Sequence, residues 1–278
     1  MKDFPDIVFL KLTSKCNHNC KYCYDFKEHP DMSISQLKKI FQLLSKKGVK
    51  ALVLTGGEPL IREDIPKIFS EIKKYGIKIY LDTNGDFFFK YERWINKYVD
   101  ILGLPLDYPS EENYYRSKKN FRNVYKILKD YSIKEKNFKI RIGTVVTKEN
   151  IVYLKEIAEL LKRYKPDSWK IYQFIPRGPN GFVHKDQLRI DTKTFFEVAD
   201  NIKARYSKYL NIIVSSRESR NRAYFFINSD GVVFMPLDDP LSSEDVNIGN
   251  ILEKGIIEKW QKIVNMGNYT ENIKKTFI

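Results

Sequence analysis

Short runs of aliphatic and β-branched residues recur along the chain about every thirty residues, and each is followed by a stretch whose apolar positions repeat with a helical period. The runs predict strands over residues 7–12, 51–54, 77–81, 101–106, 138–144 and 169–174. The intervening patterns predict helices over 35–47, 65–75, 87–98, 121–131 and 152–164, with Ser33 and Asp64 as N-caps. Strands that alternate with helices long enough to cross over form a parallel sheet, and six such units make a partial (β/α)6 barrel rather than a closed eight-fold one. After residue 174 the rhythm changes. A Pro/Gly-rich loop at 175–181 leads to a helix over 192–206 and then to short strands over 210–214, 223–227 and 232–234, with a turn at Ser229-Asp230-Gly231 and a last helix around Trp260. The expected organisation is therefore an α/β barrel unit over 1–178 and a small α+β C-terminal extension over 179–278 that contains an antiparallel element and helps to close the barrel.

Composition narrows the class without naming a function. With 278 residues, 42% hydrophobic, 14% aromatic and 30% charged, the chain has the make-up of a globular protein that can bury a sizeable core. Its aliphatic runs are strand-length and fall short of the roughly 18 residues that a membrane helix needs. The N-terminal residues show no apolar h-region with a cleavage site, so the expected location is cytoplasmic, away from membranes. Lys and Arg outnumber Asp and Glu by 49 to 35, a net charge of +14, which favours anionic ligands. Much of that excess lies on helix faces, as at Lys38, Lys39, Lys46 and Lys47, and no basic block interleaved with aromatics reads as a nucleic-acid arm.

The chain's 3 cysteines all lie in one short segment, Cys16-Asn-His-Asn-Cys20-Lys-Tyr-Cys23, in the loop after the first strand. An odd number at close spacing argues for metal ligation or redox chemistry rather than disulfides. Three thiolates can hold three corners of an iron–sulfur cubane and leave the fourth iron open; they can also hold zinc, completed by His18 or His29. In parallel α/β sheets ligands gather at the carboxyl ends of the strands, where the second strand runs into Thr55-Gly56-Gly57-Glu58-Pro59 and the third into Asp82-Thr83-Asn84-Gly85. The two glycines allow close backbone approach to a ligand, and Glu58 can hold an ammonium group.

In that order, the cysteine loop, the Gly-Gly-Glu-Pro segment and Asn84 resemble the radical S-adenosylmethionine (SAM) superfamily. The resemblance spans the first 175 or so residues and favours the cluster over zinc. It implies that Cys16, Cys20 and Cys23 hold a [4Fe–4S] cluster, with Tyr22 contacting the adenine of SAM. Gly56, Gly57, Glu58 and Pro59 would meet the methionyl amine, and Asn84 would supply a further polar contact. It also implies an oxygen-sensitive enzyme with an external electron donor such as flavodoxin or ferredoxin. An electron from the reduced cluster would cleave SAM to a 5′-deoxyadenosyl radical, which removes a hydrogen atom from the substrate.

For the substrate, alternation along the fifth strand sets Phe138, Ile140 and Ile142 against Lys139, Arg141 and Gly143. Packing the apolar set outward on helices directs Lys139 and Arg141 into the cavity, where they suit an anion. A second resemblance, carried by residues 138–150, 169–174 and 217–224, is to the viperin group, which acts on nucleoside triphosphates. It implies that Arg141 and Lys170 meet phosphate or ribose, with Arg177, Arg217, Arg220 and Arg222 as further anion-binding residues. The segments 228–236 and 247–252 resemble instead the SPASM or twitch tails of peptide-modifying radical enzymes. No cysteine follows Cys23, so such a tail can hold no thiolate-bound auxiliary cluster, and Asp230-Gly231 reads as a hairpin turn. The expected substrate is an anionic small molecule, most plainly a nucleotide, with a peptide as the alternative.

Overall fold

The computed structural model describes residues 4–24, 29–112, 116, 118–237 and 245–276. Six strands alternating with five helices open the fold: β1 (Ile7–Thr13), α1 (Ile34–Lys46), β2 (Ala51–Gly56), α2 (Ile65–Lys73), β3 (Lys78–Asp82), α3 (Phe88–Tyr98), β4 (Ile101–Pro105), α4 (Lys118–Tyr131), β5 (Lys139–Val146), α5 (Leu154–Tyr164) and β6 (Ser168–Gln173). Then follow α6 (Gly178–Val183), α7 (Lys185–Leu188), α8 (Thr192–Tyr206), β7 (Ile212–Ser215), α9 (Arg217–Arg220), β8 (Phe226–Ile227), β9 (Val232–Met235), β10 (Val246–Asn250), α10 (Ile256–Ile263) and α11 (Met266–Thr276).

The strands make one open ten-stranded sheet in the order β10-β9-β8-β1-β2-β3-β4-β5-β6-β7. β1 to β7 run parallel, as the βα rhythm requires, so the molecule is the expected α/β partial barrel. The segment after residue 178 differs from the expected antiparallel element. Its first strand, β7, pairs parallel to β6 as a seventh barrel strand, and β8 pairs parallel to β1 at the other side. The antiparallel pairings among the described residues are β8–β9, across the expected turn at Ser229-Asp230-Gly231, and β9–β10. Helix α8 supplies the crossover that makes β7 parallel, and the sheet thus runs unbroken past residue 178. The proline-bearing loop also holds a helix: α6 carries Pro at its first turn, where the missing N–H costs nothing.

Helices form where the pattern placed them because each offers one apolar stripe to the sheet. In α1, Leu37, Ile40, Phe41 and Leu44 are buried at i, i+3, i+4 and i+7, and Ser33 closes a capping box with Gln36. Asp64 makes no cap bond to α2, since its carboxylate is held by Arg62 at 2.8 Å. On β5, Ile140 and Ile142 join the main core beneath the helices. The opposite face points into the barrel, whose lower half is filled by Ile7, Ala51, Val53, Tyr80 and Ile101, with Ile273 of α11 against them. The upper half, at the carboxyl ends of the strands, is open.

Candidate active site

Above that apolar floor lies a cavity of about 330 Å³. All three cysteines line it, together with Tyr22, Gly56, Gly57 and Asn84 from the loops after β1, β2 and β3. The glycines are dictated by contact between loops. Gly57 N–H donates to the Thr13 carbonyl and Glu58 N–H to the Lys15 carbonyl, each at 2.8 Å. A Cβ at Gly57 would stand 2.2 Å from the Lys15 oxygen, and one at Gly56, where φ is +138°, 2.2 Å from the Thr13 oxygen. No side chain fits there, so the pair of glycines locks the β2 loop onto the root of the cysteine loop.

Glu58 departs from the expectation of a ligand-facing carboxylate. It is fully buried and does not line the cavity. Its oxygens accept from Leu60 N–H at 3.0 Å, Thr83 Oγ1 at 2.6 Å and Asn84 N–H at 2.7 Å, tying the β2 loop to the β3 loop. Burial raises its pKa above the usual carboxylate range, against the pull of those hydrogen bonds. Pro59 begins the short 3₁₀ turn that Glu58 caps and is likewise buried away from the cavity. Asn84 Nδ2 donates to Asn17 Oδ1 at 2.8 Å, and Asp86 accepts from Asn17 and meets His18 Nε2, both at 2.8 Å. Thus the cysteine loop is fastened to the β3 loop as well.

Tyr22 turns its ring into the cavity wall and gives its hydroxyl to Asp107, a fully buried acid just past β4. Asp107 also accepts from Val145 N–H at 2.7 Å and Arg116 Nε at 3.2 Å. Arg116 stacks 5.3 Å from the Tyr22 ring and reaches 3.6 Å from Cys20 Sγ. Burial opposes the Cys20 thiolate, but Arg116 and His18 together outweigh it and hold the thiol below its usual range. Among the described residues no three His, Cys, Asp or Glu side chains stand gathered as a metal site. Burial holds the Cys16 thiol above its usual range, so the fit to a cluster rests on three thiols sharing one short loop on the cavity wall. His29 is turned to Asp230 at 2.7 Å.

The basic residues divide. Arg141 points inward and is buried, and its Nη2 pairs with Asp82 Oδ1 at 2.7 Å. The pair bridges a missing side chain: Asp82, Gly103 and Arg141 occupy one rung of β3, β4 and β5, and a Cβ at Gly103 would fall 2.0 Å from Asp82 Oδ1. Lys170 sits beside it on β6, with Tyr172 lying over Gly143. Arg220 joins them from α9, its guanidinium 5.4 Å from the Tyr172 ring. Arg177 is buried at the rim, bound to Asp245, and its Nε has no partner among the described residues. Three expectations fail. Lys139 shares the inward phase of Arg141 but starts the strand at the lower rim, where it is solvated outside the cavity. Arg217 does not line the cavity; its backbone N–H bonds Gln173. Arg222 is an exposed residue with φ +51° in the turn before β8.

The sequence reading quoted Asp82 at the end of the third strand without giving it a role, and missed Asp107, Arg116 and the aromatic wall of Phe9, Tyr24, Tyr224 and Phe226. Asp82 was within reach, since it ends β3 in the inward phase of Tyr80. The aromatic wall comes from strands that are neighbours only across the β1–β8 pairing, which no local pattern announces. Ring centroids of Phe9 lie 4.7 Å from Phe226 and 5.1 Å from Tyr224. The cavity therefore has an aromatic side along β1 and β8 and a basic side along β5, β6 and α9.

A partial barrel whose cysteine loop and glycine loop meet at the carboxyl end of the sheet defines an enzyme built around a bound cofactor at that end. Residues 10–161 match the radical SAM superfamily, and the chain belongs to it. The cofactors of that superfamily are a [4Fe–4S] cluster and SAM, which when bound supply a 5′-deoxyadenosyl radical. Two relatives carry the name S-adenosylmethionine-dependent nucleotide dehydratase. The one from Lacinutrix mariniflava is 22% identical over 97% of this chain, which spans only 61% of its length. That from Flammeovirga pacifica is 26% identical, covering 93% of this chain and 90% of its own. The structure of SuiB from Streptococcus suis bound to S-adenosylmethionine shares the fold, with a TM-score of 0.73 at 16% identity over 93% of this chain and 66% of that one. Among the described residues no helix is long and apolar enough to cross a membrane.

Proposed function

We propose that this radical SAM enzyme abstracts hydrogen from a nucleotide, in the manner of the viperin group. The observation that carries the reading is the two-sided cavity, with Arg141, Lys170 and Arg220 along one wall and Phe9, Tyr24, Tyr224 and Phe226 along the other. Such a pair of walls suits a ligand with phosphates at one end and a flat base at the other, because guanidinium and ammonium groups grip phosphate while aromatic faces accept a ring. The names of the two dehydratase relatives support the same substrate class. Cys16, Cys20 and Cys23 would hold the cluster, and Tyr22, Gly56, Gly57 and Asn84 would border SAM. Glu58 and Pro59 act behind that border, fixing its shape. A reduced flavodoxin or ferredoxin is the class of electron donor the chemistry requires.

Equilibrium binding of nucleoside triphosphates to the cluster-loaded enzyme, measured anaerobically at pH 7, tests the reading. At least one triphosphate should bind, and Arg141→Gln should weaken it by about 1.5–3 kcal/mol, the worth of a charged hydrogen bond, with SAM affinity unchanged. Equal binding by wild type and variant would remove the phosphate from the Arg141 wall.

A further inference from the structure

Lys170 differs from the other cations of the cavity in having no hydrogen-bond or ion-pair partner among the described residues. It is 3% exposed, and its Nζ lies 5.0 Å from the Tyr172 ring centroid. No hydrogen bond or ion pair reaches that amine among the described residues. The charges facing it come from every side. Arg141 stands on β5 and Arg220 on α9, and Lys275 approaches from α11, where it is bound to Glu271 and to the Val214 carbonyl. Among the described residues Asp82 on β3 is the acid that weighs most at Lys170, and its Oδ1 is already held by Arg141. The neighbouring hydroxyls of Tyr172 and Tyr224 are kept protonated by burial, so neither offers a negative charge.

An ammonium in that position loses its hydration, and the Tyr172 ring and the already paired Asp82 offset only part of the repulsion from Arg141 and Arg220, which makes its proton easy to lose. Burial first, then Arg141 and Arg220, pull the Lys170 pKa from its ordinary value of 10.5 down to about 7. An arriving anion reverses the balance by supplying the missing counter-charge.

We propose that Lys170 is a binding residue that acquires its charge from the ligand: an amine for much of the time in the resting enzyme, it takes a proton from solvent as the substrate's anion settles beside it, Arg141 and Arg220. The inference rests on the nucleotide reading above and adds the charge state and the selectivity of that site. The only bond formed is N–H, the proton comes from the buffer, and no electron moves. A ligand without negative charge cannot recruit the ammonium, so the wall selects for charge rather than for shape alone.

The test uses cluster-loaded enzyme with SAM, anaerobic and without reductant so that no turnover occurs. ATP and CTP are the probes, since their own charge is constant between pH 7.5 and 9.0. For whichever of them binds, wild-type affinity should fall about tenfold per pH unit across that range by proton linkage. Calorimetry in two buffers of different ionisation heat should show close to one proton taken up per ligand at pH 8. Lys170→Arg, charged at every pH, should bind with no pH slope and no uptake. Lys170→Met should bind weakly at all pH values, at the level wild type reaches at pH 9. Wild-type binding that is independent of pH with no proton taken up overturns the inference and leaves the nucleotide reading intact, as does an unchanged slope in Lys170→Met. Where only GTP or UTP binds, the same slope and proton uptake are read between pH 7.5 and 8.5, below the ionisation of their bases, and their absence overturns the inference; failure of all four triphosphates to bind at any pH overturns the nucleotide reading and this inference together.

Discussion

At the residue scale, Glu58 binds loop to loop behind the cavity wall. Its carboxylate accepts three hydrogen bonds from the β2 and β3 loops while wholly out of solvent. Glu58→Gln replaces one accepting oxygen with a donor facing either Asn84 N–H or the Leu60 and Thr83 donors, and should cost about 1–3 kcal/mol of stability at pH 7. The pH dependence has a definite sign. Because burial raises the folded-state pKa above the unfolded value of about 4.3, the folded chain binds the proton more tightly. Wild-type stability from this group therefore falls as pH rises from the unfolded to the raised folded pKa, and its advantage over the Gln variant widens as pH is lowered through that window. Urea unfolding of both proteins at several pH values between 4.5 and 7 measures this; parallel curves would show that Glu58 does not titrate as described.

Among the elements, the decisive contacts are between loops. Gly57 exists because the Lys15 carbonyl leaves no room for a Cβ, so Gly57→Ala must push the β2 loop off the cysteine loop. The expected result is a fold destabilised by about 1–3 kcal/mol, as for overpacking, and a clear loss of bound iron after reconstitution. Iron content equal to wild type would mean that the docking of the two loops does not shape the cluster site. The same contacts explain what could be read from the sequence. The βα rhythm, the Ser33 cap and the buried stripes of α1 and α5 are local consequences of period and propensity, and they were legible. The parallel docking of β7 was not, because a four-residue strand carries no mark of its partner's direction. Lys139 was misjudged for a related reason: alternation fixes the face a residue points to, but not its height along the barrel. The cysteines and glycines could be found since their chemistry demands rare residues at fixed spacing, whereas the Asp107 node and the aromatic wall arise only when distant strands are brought together.

For the whole molecule, the sheet places two different jobs at one end. The loops after β1, β2 and β3 carry the residues that would hold the cofactors, and β5, β6, α9 and the β1–β8 wall carry the residues that would grip the substrate, with Thr276 of α11 lining the same cavity. Beneath them the barrel is packed with the apolar cluster of Ile7, Ala51, Val53, Tyr80 and Ile101. The central claim, a radical enzyme acting on a nucleotide, is tested most directly by the yield of 5′-deoxyadenosine from reduced, cluster-loaded enzyme and SAM, with each nucleoside triphosphate in turn and with none. One triphosphate should raise that yield at least about tenfold above the substrate-free background, since a positioned C–H gives the radical its productive outlet. A yield that no triphosphate changes, from enzyme that cleaves SAM in the background, would contradict the claim.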